Sequence, residues 1–171
     1  MQTEEPQKND QSAALRDEVY DDYDAFLRHA VREYYDRGWK QRKGNFIALV
    51  MASGQITGIA TDSVKDGSGF KKAAIGAASV VALRLALKYF LAGPLGLVLT
   101  AAAIASAVGY LIKNQREVMS KVGPYRELIE QTRIRFEEIQ GGYRASKYDT
   151  SARNLMVEGL LKRILEQIDA D

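Results

Sequence analysis

The sequence predicts an all-α fold, a bundle of about five or six helices built around a central hydrophobic helical hairpin at residues 70–112. Three observations predict it. Tyr89 to Ile112 is a run of 24 residues without a charged side chain, and only Arg84 and Lys88 interrupt the apolar and small residues back to Ala73. The segments on either side, 12–38 and 113–171, repeat apolar residues every three or four positions, the period of a helix with one buried face. Glycine and proline punctuate the chain at intervals that suit helices.

A chain of 171 residues fits one domain with a sizeable core. Its 46% hydrophobic and 27% charged content are ordinary for a globular protein. Cysteine is absent, which removes disulfides, thiolate metal sites and Cys nucleophiles. The start, MQTEEPQKNDQS, lacks the basic end and apolar core of a secretory signal. Cytosolic synthesis without a signal peptide is expected. Net charge is +2, but it is unevenly spread: residues 1–36 carry −6, residues 37–126 carry +10 and residues 127–171 carry −2.

Taken in order, residues 1–11 have nothing to bury and are expected to be a disordered tail. Residues 12–38 form an amphipathic helix with Leu15, Val19, Tyr23, Phe26, Ala30, Val31 and Tyr34 on one face. Acidic residues crowd its start and basic ones its end, which complements the helix dipole. Gly38 is its stop. Residues 45–61 are uncharged, and Ala48, Ala52, Gly54 and Gly58 supply small residues four apart, so a close-packed helix is predicted. A strand pair is the competing reading, because Ile56, Thr57, Ile59 and Thr61 favour strands. Asp62–Gly69 is a loop by composition.

The hairpin follows. Phe70 to Ala92 is its first arm, Gly93-Pro94 its break, and Leu95 to Ile112 its second arm. Small residues recur at i, i+4 in both arms, Ala78 and Ala82 among them in the first and Ala105 in the second, which lets two backbones approach. Beyond it, Val118, Val122, Tyr125, Ile129, Thr132, Phe136 and Ile139 alternate in steps of four and three, a heptad seam for packing against the last helix or a second copy. A kink or short break is expected at Gly123-Pro124, and an end at Gly141-Gly142. Thr150 or Ser151 caps the last helix, whose apolar face is Leu155, Val157, Leu160, Leu161, Ile164, Leu165 and Ile168.

No catalytic constellation stands out, and no cofactor or metal is expected. His29 is the only histidine, with Glu33 one turn on. A di-iron bundle needs paired Glu-x-x-His motifs, which are missing. Asp66–Lys72 superficially suggests a phosphate loop but lacks the first glycine and the Lys-Ser/Thr pair of a Walker A sequence. Tyr34, Tyr35, Trp39, Lys40, Arg42 and Lys43 mix aromatic and basic residues, as a nucleic-acid site or a membrane interface does. The apolar segment that follows favours the interface, and no nucleic-acid partner is expected.

The uncharged run reaches the roughly 20 residues that cross a bilayer. The leading expectation is therefore a non-enzymatic, membrane-associated or membrane-inserting helical protein acting as an oligomeric pore, anchor or membrane-shaping component. The hairpin would enter lipid through Ala78, Ala82, Leu91, Gly93, Pro94, Leu97, Leu99, Ile104, Ala105 and Leu111. Lys71, Lys72, Lys113 and Arg116 would meet anionic headgroups at its base. Arg84 and Lys88, four apart on one face, would lie at the interface or line a lumen. In outline the arrangement is similar to colicin-type pore-forming domains, a likeness of architecture over residues 73–112 without a shared motif. The alternative is a soluble helical-bundle scaffold or adaptor, with a protein partner and with the same hairpin as its core, because a fully buried helix is also apolar all round.

Overall fold

The computed structural model describes residues 17–57, 73–91 and 101–170, with side chains from residue 79 in the second stretch and from 104 in the third. Among these residues there are helices and no strands. They are α1 (Tyr23–Asp36), a single 3-10 turn (Trp39–Gln41), α2 (Lys43–Ile56), α3 (Ala73–Leu91), α4 (Ala101–Lys113), α5 (Gln115–Arg144) and α6 (Thr150–Ala170). The all-α bundle is thus as expected, and residues 45–56 are helix rather than strand. The expected tail at 1–11, the Asp62–Gly69 loop and the Gly93-Pro94 break lie outside the described residues.

Helix ends follow local chemistry. Residues 17–21 are helical, and the chain opens to an extended conformation at Asp22, whose carboxylate accepts from the Ala25 N–H at 2.9 Å. The acidic cluster here supplies an N-cap, so the helix predicted from residue 12 is divided at Asp22. Gly38 has φ of +103°, a left-handed conformation that ends α1 and costs glycine little. At the last helix the cap is Asp149, which accepts from the Ala152 N–H at 2.8 Å, and not Thr150 or Ser151.

Helix α5 neither breaks at Gly123-Pro124 nor ends at Gly141-Gly142, and runs on to Arg144. Gly142 serves a close approach instead: a Cβ there would collide with the ring of Tyr148, whose hydroxyl donates to the Ile139 carbonyl. The turn comes four residues later, where Ser146 has φ of 55°.

The centre of the bundle is α2. Gly44 and every residue from Phe46 to Gly54 are buried. Because this helix is apolar on all sides, it has no solvent face to keep. It packs most extensively against α5, and also against α1, α3, α4 and α6. The two hairpin arms, α3 and α4, touch each other and α2, so they form a wall beside the central helix rather than its axis. The heptad seam is buried as expected. Val118, Val122, Tyr125 and Ile129 join the core built on α2, while Phe136 packs with Phe26, Val157 and Leu160. Ile139 is half-buried beside that second cluster. On α6 the buried stripe is Arg153, Val157, Leu160, Ile164, Leu165 and Ile168. Leu155 is 71% exposed, because it sits two residues off that stripe and so on the far side of the helix.

Candidate interaction surface

Polar contacts hold the bundle at both ends and leave one wall free. At one end the last turn of α6 meets the first turn of α2. Asn45 donates to the Ile168 carbonyl at 2.9 Å, Tyr125 donates to the same oxygen at 3.3 Å, and Lys121 reaches Asn45 at 2.7 Å. Arg42 pairs with Asp169. Cations beside the carbonyl end of a helix are favourable there.

At the other end Arg153 is 4% exposed, pairs with Asp21, and lies 4.5 Å from the centre of the Tyr143 ring and 6.0 Å from that of Tyr20. Gln140 donates to the Tyr20 carbonyl, and Tyr20 donates to Glu158 at 2.7 Å. These contacts pin residues 17–21 onto α5 and α6. Nothing in the sequence pattern marked Arg153, because a single basic residue near the start of a helix reads as solvent-facing.

The aromatic and basic segment at residues 34–43 is a packing device. Tyr34 and Trp39 are buried, Tyr35 stacks on Trp39 at 5.7 Å, and Phe46 closes the group at 5.4 Å from Trp39. With Arg42 engaged by Asp169, the interface expected here has no exposed aromatic pair to offer. His29 lies 3.5 Å from Glu33, and its pKa is lowered by partial burial, with Glu33 opposing. Among the described residues no group of three or more His, Cys, Asp or Glu could hold a metal. An open groove of about 340 Å³ between α5 and α6 is lined by Pro124, Tyr125, Glu127, Leu128, Gln131, Gln167 and Ala170, with one carboxylate and no partner for acid–base work.

Burial pushes the Tyr34 hydroxyl up to about 12, with the Asp169 carboxylate adding to the shift. Tyr23, whose hydroxyl donates to the Ile129 carbonyl at 2.6 Å, is raised further, by burial first and Glu130 second. A raised tyrosine keeps its proton in the fold while the unfolded chain loses it near the ordinary value of 10.0. The contribution of Tyr34 to stability is therefore complete below pH 10 and is lost as the pH rises through about 12. Urea midpoints measured from pH 9 to 12 should fall. Tyr34→Phe should reduce that fall, and an unchanged slope would mean that Tyr34 ionises freely in the fold.

The hairpin residues divide between inside and outside. Ala82, Leu91 and Leu111 are buried, Ile104 is half-buried against the core, and Ala105 is exposed. Ala78 lies within α3. Gly93, Pro94, Leu97, Leu99, Lys71 and Lys72 lie outside the described residues. On α3, Ser79, Ala82, Leu83, Ala86, Leu87, Phe90 and Leu91 face the bundle. Val81, Arg84, Leu85 and Lys88 are exposed, a continuous stripe at i, i+3, i+4 and i+7. Val81, one turn before Arg84, is 47% exposed, and Leu85, between the two cations, is 42% exposed. On α4 the outward positions are Ala105, Gly109, Ile112 and Lys113, followed by Arg116 at the start of α5, with Ile112 67% exposed. The 50 residues from Gly67 to Arg116 contain six Lys or Arg and no Asp or Glu. Arg84 and Lys88 were the sequence signal for this surface, and their apolar neighbours Val81 and Leu85 belong to the same stripe.

Among the described residues no helix is long and apolar enough to cross a membrane. The 24-residue uncharged run is shared between the end of α3 and all but the last residue of α4, with residues 92–100 between them. Among the described residues the transmembrane and pore-forming expectations therefore have no spanning helix behind them. No family model, no curated protein and no solved structure matches the chain.

Proposed function

We propose that this chain is a non-enzymatic helical-bundle scaffold whose working surface is the outer wall of its hairpin. The observation that carries this reading is the division of α3: its larger apolar residues Leu83, Leu87, Phe90 and Leu91 are taken up by the bundle, while Val81, Arg84, Leu85 and Lys88 are left outside. Insertion of the hairpin would first have to strip it from α2. Each large side chain so exposed costs about 1.5–3 kcal/mol, and the facing side of α2 would be bared as well. The heptad seam is occupied within the chain, so a homo-oligomer would need another surface.

The test is purification without detergent. The scaffold reading expects a dispersed, helical chain with one cooperative unfolding transition. A chain that needs detergent to stay dispersed, and gains most of its helix only in lipid, would overturn it. The triggered-insertion reading keeps one supporting observation, the uncharged run of 24 residues.

A further inference from the structure

We propose that the outer wall of the hairpin docks the intact bundle onto an anionic lipid surface, with Arg84, Lys88, Lys113 and Arg116 at the headgroups and Val81, Leu85 and Ile112 pressed shallowly between them. The proposal rests on the scaffold reading and names the partner of that wall. Three features choose the occupant. Among the described residues Arg84, Lys88, Lys113 and Arg116 make no salt bridge, so their charge is directed outward. The wall has no carboxylate between Gly67 and Arg116, so a second copy set symmetrically against it would bring Arg84 and Lys88 against their own counterparts. Apolar side chains stand in the same row as the cations, and the sequence joining the arms, Leu95, Gly96, Leu97, Val98 and Leu99, is uncharged and mainly apolar. A surface that accepts dispersed cations and scattered apolar groups together, without shape complementarity, is an anionic bilayer.

The α3 stripe supports the same geometry. Lys88 lies seven residues beyond Val81, about 10 Å along the axis, and all four side chains project from one side. Long basic side chains can lay their stems along the apolar neighbours and keep the charge at the phosphates. The helix then lies parallel to the surface while Leu83, Leu87 and Phe90 stay packed on the protein side.

The experiment is sedimentation of the whole chain with phosphatidylcholine vesicles containing or lacking phosphatidylglycerol. Binding is expected only with the anionic lipid, and weaker at high salt. Arg84→Gln with Lys88→Gln should weaken it about 30-fold, since each cation near the surface is worth about a fivefold factor. Val81→Ser with Leu85→Ser should also weaken it. All four positions are exposed, and circular dichroism checks that the variants remain helical. Depth is read from a fluorophore on Ile112→Cys in this cysteine-free chain. Quenching from lipid groups near the headgroups supports docking. Quenching from the bilayer centre would mean that the hairpin inserts, and would overturn it. Binding that survives the Gln pair would overturn this wall as the contact. Wild-type chain that ignores anionic vesicles would overturn the lipid partner yet leave the scaffold reading standing on its own unfolding test. A dimer that Leu85→Ser dissolves would make a second copy the occupant.

Discussion

Replacing Ile129 and Phe136 with serine is expected to unfold the bundle or leave it barely stable at room temperature. Ile129 is fully buried in the core built on α2, and Phe136 is 2% exposed against Phe26 and within 5.5 Å of Tyr23. Loss of a large buried apolar side chain costs ~2–5 kcal/mol, and a hydroxyl left without a partner adds to it. The two sites lie in different clusters but share Tyr23 as a neighbour, so the pair should cost more than either change alone without adding strictly. Together they approach the whole stability of an ordinary domain, about 5–15 kcal/mol. Thermal or urea unfolding of each single variant and the pair measures this. If the pair melts like the wild type, the seam is not a core.

That seam was legible because periodicity reports burial directly. A 4-3-4-3 pattern from Val118 to Ile139 can be buried along only one line of a helix, and it is buried along that line. Helix α2 shows the limit of the same signal. Its residues are apolar or small all round, so the pattern predicts a helix but gives it no direction. That it forms the centre emerges only from the faces that α1, α3, α4, α5 and α6 turn toward it. Glycine was ambiguous for a related reason. At Gly38 it marks a left-handed end, which is a local property, whereas at Gly142 it makes room for Tyr148, a contact set by the turn that follows. The acidic cluster around Asp22 suits the helix dipole by its pattern, but one member is an N-cap that divides the helix. Arg153 was invisible, because its burial depends on residues 17–21 folding back over α6.

The sharpest separation of bundle from membrane span comes from two leucines two residues apart. Leu87→Asp is expected to abolish folding, while Leu85→Asp should shift stability by no more than about 0.5 kcal/mol, the usual range for surface changes. Leu87 is 1% exposed among the side chains of the main core, and Leu85 is 42% exposed on the outer stripe. An aspartate at Leu87 forfeits about 1.5–3 kcal/mol of apolar burial and carries a carboxylate in among the apolar side chains of the main core. An aspartate at Leu85 stays in water, one residue from Arg84 and three from Lys88. In a lipid-spanning arm the positions would be equivalent, because both would be carried through hydrocarbon and both would resist a charge. Circular dichroism and urea unfolding of the two variants in detergent-free buffer therefore read the orientation of α3. A large difference places Leu87 inside and Leu85 outside. Two equally damaged variants would mean that the arm is buried on both sides, and the outer wall would lose its exposed stripe.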